Sequence, residues 1–330
     1  MNDRAIVVLE QYDFAAEKIR KGRGTFLFES NGQSYVMEEY HGTPERLDFM
    51  SEVLETAHKK GVYNIEQLFC NKEGALLSED FEHTSYLVKS YFPGKECDLS
   101  NMRECCGAME ALAHLHMGLK GTKSDLNVVQ LPFLREAVKH NKELQRVRKF
   151  LKDKSQKTEF ELFLLRHYDF FFDMAKNVTG ELKQEDLETW LSEIRENKWI
   201  CHGDFEHHNI LMDGHSCYMI NFERMVVDNP IRDIYLFIRK LLEKNQWNPR
   251  LYRELIDSYQ RVRKLSESDM IQLKYRFCYP EKFWKIVNFY YNNSKAWMSY
   301  KNSEKLQKLL EQENCRQEFL REIFGKVTAE

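Results

Sequence analysis

The segment Trp199-Ile-Cys-His-Gly-Asp-Phe-Glu-His-His-Asn-Ile-Leu-Met constrains this chain more than any other. It sets His202, Gly203, Asp204 and Asn209 in the pattern H-G-D-x-x-x-x-N-I-L. Two further elements follow in order, Met219-Ile-Asn-Phe-Glu and then Asp228-Asn-Pro-Ile-Arg-Asp233. A lone H-x-D carries little information, whereas three separated elements in one order carry much more. Short extended pieces are expected at 199–201, 210–212 and 218–222.

The remainder reads as a strand-rich front and a helical back. Gly24-Thr-Phe-Leu-Phe-Glu-Ser and Ser34-Tyr-Val-Met-Glu-Glu-Tyr flank Asn31-Gly32, the strongest short signal for a β-hairpin. Thr43-Pro44-Glu45 opens a helix with Leu47, Met50, Val53 and Leu54 on one face, ending near Gly61. Extended pieces are expected at 66–70 and 85–92, and Pro93-Gly94 marks a break. Helices are expected over 102–116, 132–151, 159–176 and 185–196, and again from 231 to about 324. This order predicts an α+β chain of two lobes: a small strand-rich lobe over 1–92 and a large, mainly helical lobe over 93–330.

Composition narrows function by exclusion. A chain of 330 residues, 42% hydrophobic and 31% charged, can bury a sizeable core, and disorder is disfavoured. A net charge of −3 without a basic tract argues against a nucleic-acid partner. No apolar run approaches the roughly 18 residues of a membrane span, and no charged-then-apolar leader follows Met1. Eight cysteines without a C-x-x-C pair suggest neither a zinc site nor a redox dithiol, and fit a reducing cytosol.

The three ordered elements resemble the Brenner motif of the aminoglycoside phosphotransferase, choline kinase and homoserine kinase group. That resemblance implies a two-lobed protein-kinase-like fold and a phosphoryl-transfer site. Phosphoryl transfer needs a carboxylate to orient the acceptor hydroxyl and receive its proton, the role implied for Asp204. It also needs oxygen ligands for Mg²⁺, one implied at Asn209 and the other at the end of the next strand. His202 is implied to brace the catalytic loop, and Asp233 reads as an early-helix carboxylate or a brace for the same loop.

Two positions depart from the group's pattern. Ile220-Asn221-Phe222 stands where the group usually has Ile-Asp-Phe, so Asn221 offers a carbonyl oxygen without the charge that holds a divalent cation. Tyr35-Val36-Met37-Glu38 places Glu38 where the third strand usually ends in a nucleotide-binding Lys, and a carboxylate there repels phosphate. Lys89 is the nearest substitute by order, although it falls at the connection between the lobes. Gly22-Arg23-Gly24 is only a weak glycine-loop signal. Together the departures favour a degenerate site.

Beyond the motif, the chain resembles the spore-coat kinase-like family of endospore-forming bacteria. The carriers are Tyr86-Leu-Val-Lys-Ser-Tyr-Phe-Pro-Gly, Leu112-Ala-His-Leu-His116, Phe160-Glu-Leu-Phe-Leu-Leu-Arg-His-Tyr168, Trp247, Tyr259 and Tyr279-Pro-Glu-Lys-Phe-Trp284. The resemblance implies synthesis in the mother-cell cytoplasm, deposition in the spore coat, and other coat proteins as partners. An intact site implies ATP and Mg²⁺ as cofactors and a small-molecule hydroxyl acceptor; a decayed one implies none. Three readings stand: a pseudokinase acting through surface contacts, an active kinase with Asp204 as base, and a nucleotide sensor without turnover.

Other clusters have plainer explanations. His202, His207 and His208 with Glu206 lack the i, i+4 spacing of a zinc helix, so metal binding is not the favoured reading. His114 and His116 suggest packing or exposure rather than a shared site. The aromatic stripe from Phe277 to Trp297 reads as helix-bundle core, and 139–157 as a solvated face.

Overall fold

The structure, a computed structural model, describes residues 3–22, 24–122, 133–292 and 298–325. Arg23 of the weak glycine-loop signal and Trp297 of the aromatic stripe lie outside the described residues. Tertiary contacts divide the chain into two units that interleave in sequence. One comprises Met1–Val128, Lys198–Asp233 and Ser258–Arg263; the other Val129–Asn197, Ile234–Asp257 and Lys264–Glu330.

The first unit opens with helix α1 (Asp3–Leu9) and strands β1 (Glu17–Lys21), β2 (Thr25–Ser30) and β3 (Gln33–Glu39). Helix α2 (Pro44–Lys59) follows, then β4 (Leu68–Phe69), β5 (Leu77–Glu79), β6 (Ser85–Ser90), β7 (Lys95–Glu96) and helix α3 (Met102–Leu119). The strands β1-β2-β3-β6-β4 form an antiparallel sheet in that order, with β5 also pairing β6.

The hairpin read from Asn31-Gly32 is present: both residues are left-handed (φ 51° and 76°), and Ser30 pairs with Gln33. Those backbone angles suit a two-residue turn whose twist matches the strands. Period-2 alternation then sorts the sheet's faces. Tyr35 and Met37 of β3, with Phe26, Phe28, Tyr86 and Val88, bury one face against Val8, Leu9 and Tyr12. Phe28 stacks on Tyr35 at 5.3 Å between ring centroids. On the other parity, Val36 registers with Lys89 and Glu38 with Leu87. This puts an acid and a base one diagonal step apart.

Helix α2 begins as read, with Thr43 accepting from Arg46 N, and gives way to the left-handed Gly61 (φ 87°). After the second unit's first helices the chain returns to the first unit as β8 (Ile200–Cys201), a 3₁₀ turn His207–Asn209, β9 (Ile210–Asp213) and β10 (Ser216–Met219). A second 3₁₀ turn, Phe222–Arg224, leads to β11 (Val226–Val227) and to α7 (Ile231–Lys244). These strands form two small antiparallel sheets, β10-β9-β7 and β11-β8.

The second unit is helical: α4 (Phe133–Asp153), α5 (Glu159–Glu181), α6 (Gln184–Asn197), most of α7, most of α8 (Pro249–Gln260), then α9 (Glu267–Cys278), α10 (Glu281–Asn292) and α11 (Met298–Phe324). Thr158 and Glu161 start α5 with a reciprocal capping box. Phe277 and Phe283 of the aromatic stripe are buried, and Phe283 stacks on Phe171 at 4.6 Å. Phe289 and Tyr291, further along the stripe, are exposed. Among the described residues no helix is long and apolar enough to cross a membrane.

Candidate functional site

All the site residues singled out in the sequence fall in the first unit. His202 is fully buried. Its Nε2 donates to Ile220 O at 3.0 Å, while Nδ1 accepts from Asp204 N at 3.3 Å, so the ring pins the loop to the strand end ahead of Asn221. Gly203 is left-handed (φ 81°), and a Cβ there would lie 1.9 Å from Arg224 O, so only glycine fits.

Asp233 is buried in the first turn of α7, and both of its oxygens serve the loop. Oδ2 accepts from His202 N at 2.7 Å and Oδ1 from Gly203 N at 2.9 Å. His116 of α3, also buried, donates from Nε2 to Asp233 Oδ2 at 3.1 Å and lies 2.9 Å from the Tyr259 hydroxyl through Nδ1. Burial disfavours the charged form of Asp233, but His116, His202 and the Gly203 amide hold its carboxyl below the ordinary value. Burial lowers the His116 pKa in turn. The spacing of His114 and His116 suggests packing or exposure; a histidine that anchors a loop across 117 residues has no local signature.

Asp204 itself stays accessible, with its side chain 34% exposed and Arg224 Nη1 at 3.8 Å. Asn209 closes the loop by donating from Nδ2 to Asp204 O at 2.8 Å and to Oδ2 at 3.4 Å. Asn209 Oδ1 accepts from Asn221 Nδ2 at 2.9 Å. Asn221 Oδ1 in turn accepts from Lys89 Nζ at 3.3 Å. A single relay therefore runs from Lys89 through Asn221 and Asn209 to Asp204. Asn221 holds a left-handed backbone (φ 64°, ψ 63°), which asparagine tolerates better than most residues.

Lys89 is the main surprise. It lies within β6 rather than in a connecting segment, and its side chain is 2% exposed. Its ammonium sits 2.5 Å from Glu38, 3.0 Å from Glu223 and 3.2 Å from Glu66. Burial alone would lower its pKa, but Glu66, Glu223 and Glu38 outweigh burial and hold it well above the ordinary lysine value. For Glu38, burial prevails over Lys89 and raises the carboxyl; for Glu223, burial is outweighed by Lys89 and the carboxyl is lowered. A lysine thus reaches Glu38 from the adjacent strand.

Glu66 belongs to none of the sequence motifs. Residues 64–66 run beside the end of β10, where Met219 N donates to Asn64 O and Ile65 bridges Met219 in parallel. There Glu66 accepts from Asn221 N and Phe222 N, each at 2.9 Å, fixing the turn that bears Asn221. Arg46 of α2 holds the same turn by donating to Glu223 O and, at 3.0 Å, to Met225 O.

Two amide oxygens of the site already have partners. A hard cation needs free oxygens, preferably charged. Here Asn209 Oδ1 and Asn221 Oδ1 are each engaged by an internal donor.

Comparison with known proteins places this geometry in context. The family described as "Spore coat putative kinase YutH" matches residues 6–323. No curated protein sequence matches. Among solved structures, an aminoglycoside phosphotransferase from Alicyclobacillus acidocaldarius superposes with a TM-score of 0.85 at 18% identity, covering 98% of this chain and 96% of that one. Amicoumacin kinase hAmiN in complex with AMP-PNP and Ca²⁺ gives 0.59 at 11% identity, covering 99% and 95%. A choline kinase from Cryptosporidium parvum gives 0.56 at 13% identity, covering 97% and 98%. The fold is therefore kinase-like, with an N-terminal antiparallel sheet and a mostly helical C-terminal part.

Proposed function

This chain belongs to the spore-coat kinase family defined by that match, and we propose that it acts there as a pseudokinase, a scaffold whose phosphotransferase site has degenerated. The observation that carries the reading is the relay from Lys89 through Asn221 to Asn209. It puts an internal donor on each of the two side-chain oxygens that would face a cation. Lys89 is clamped by three carboxylates, which would repel the phosphates of a nucleotide. The intact brace of His202, Gly203 and Asp233 then serves as architecture that keeps the loop folded. On this reading the protein is made in the mother cell and joins the coat through contacts with other coat proteins.

A second reading is an ATP-dependent phosphotransferase acting on a hydroxyl acceptor. Asp204 favours it, being accessible on a loop whose backbone is braced by Asp233. Calorimetric titration of the purified protein with ATP, with and without Mg²⁺, separates the two. The scaffold reading expects no heat of binding up to millimolar ATP. Micromolar, Mg²⁺-dependent binding would overturn it and justify a screen of acceptors. Binding without phosphate transfer would identify a nucleotide sensor instead.

A further inference from the structure

Beside the Lys89 relay, the fold gathers a second set of ligand-type side chains that sequence spacing does not reveal. Strand β7 pairs antiparallel with β9, setting Glu96 opposite Leu211. Strand β9 starts immediately after the turn His207–Asn209, so this register carries Glu96 alongside the two histidines of the turn. His208 Nδ1 lies 2.6 Å from Glu96 Oε2, and the rings of His207 and His208 are 3.8 Å apart between centroids. One ligand atom from each of the three residues lies within 4.8 Å of the other two. The Glu96 and His208 side chains are 56% and 60% exposed, so the cluster opens to solvent.

From this geometry we propose that Glu96, His207 and His208 bind one divalent metal ion of the zinc class. Two imidazole nitrogens and a carboxylate oxygen form a donor set that suits zinc, cobalt or nickel, whereas magnesium and calcium take oxygen ligands. The i, i+4 spacing of a zinc helix is unnecessary here. A 3₁₀ turn brings adjacent imidazoles together, and a strand 112 residues away in hydrogen-bonded register supplies the third ligand. Three protein ligands leave positions for water, as in open zinc sites. A bound ion would tie edge strand β7 to the turn between Asp204 and Asn209, stiffening that loop whether or not a nucleotide binds. A bare His208–Glu96 surface ion pair would show no such metal binding.

The test is titration of the full-length, EDTA-treated protein with Zn²⁺, together with the visible absorption spectrum of the Co²⁺-loaded form. One ion per chain at micromolar affinity is expected, with the ligand-field bands of a four- or five-coordinate Co²⁺ site. His208→Ala and Glu96→Gln should each weaken Zn²⁺ binding by about tenfold or more, a loss of the size seen when a zinc site's surroundings are altered. His215→Ala, at an exposed histidine that contacts Arg103, should leave it unchanged. Both decisive variants are at exposed side chains, so loss of fold does not confuse the outcome. Zn²⁺ affinity that persists undiminished in both of them overturns the assignment, as does the absence of saturable binding in the parent.

Discussion

Asn221 Nδ2 donates to Asn209 Oδ1 at 2.9 Å, so two residues expected to face a cation face each other instead. Only an amide allows this pairing, because a carboxylate at 221 would have no proton to offer. The single-atom difference between aspartate and asparagine therefore changes the wiring of the site as well as its charge.

Asn221→Asp should undo that wiring. The new carboxylate would release Asn209 Oδ1 and add the negative charge that a divalent cation requires. The variant is expected to gain a Mg²⁺-dependent rise in thermal midpoint in the presence of ATP, measured by scanning calorimetry against the parent. Identical responses from parent and variant would show that the amide pair is not what closes the site.

Lys89→Met should be severely destabilising. It leaves Glu66 buried, and Glu38 and Glu223 mostly so, without their shared cation. Breaking a buried ion pair by removing one partner costs about 3–5 kcal/mol. Adding Glu38→Gln to Lys89→Met should recover part of the loss, since it removes one of the stranded charges. Urea denaturation of the two single variants and the double variant measures the coupling, and strictly additive losses would contradict it.

Gly203→Ala tests the backbone rather than the chemistry. The left-handed conformation alone costs a non-glycine residue about 1–3 kcal/mol. The clash of the new Cβ with Arg224 O, a backbone atom that cannot rotate away, adds to that. The loss of stability should exceed that of His114→Ala, an exposed change on α3. A near-neutral Gly203→Ala would mean that the loop and the Phe222–Arg224 turn readily move apart.

Acid should weaken the fold beginning near pH 6.5. Burial depresses His116, and it pushes His140 of the second unit down to about 4. Below 6.5 the unfolded chain takes up protons at these residues that the native state does not, so stability falls with pH until the native values are reached. Each such proton contributes a slope of at most about 1.4 kcal/mol per pH unit. Asp233, held below its ordinary value, adds a further loss at pH below about 4. Glu38, raised by burial, works in the opposite sense, its contribution falling as pH rises through the interval above its ordinary value of 4.5. Urea midpoints at pH 7.5, 6.5 and 5.5 should decline in that order, and a flat series would show these imidazoles to be solvated.

What the sequence alone determined is local. The Asn31-Gly32 hairpin and the Thr43-Pro44 helix start each depend on backbone angles and caps set by neighbouring residues, so a short window suffices to read them. The departure expected at Asn221 is read from the order of the motif, and the one expected at Glu38 from the run Tyr35–Glu38.

Tertiary structure alone decided what surrounds those two residues. Strand register places Lys89 one diagonal step from Glu38, a relationship that depends on pairing β3 with β6 and leaves no trace in either segment by itself. The crossing of residues 64–66 beside β10 brings in Glu66, and the pairing of β7 with β9 brings Glu96 to His208. Charge compensation acts through space, over a few ångströms, with no regard for separation along the chain. In the folded chain Glu38 and Asn221 both contact Lys89, which ties the two positions into one network.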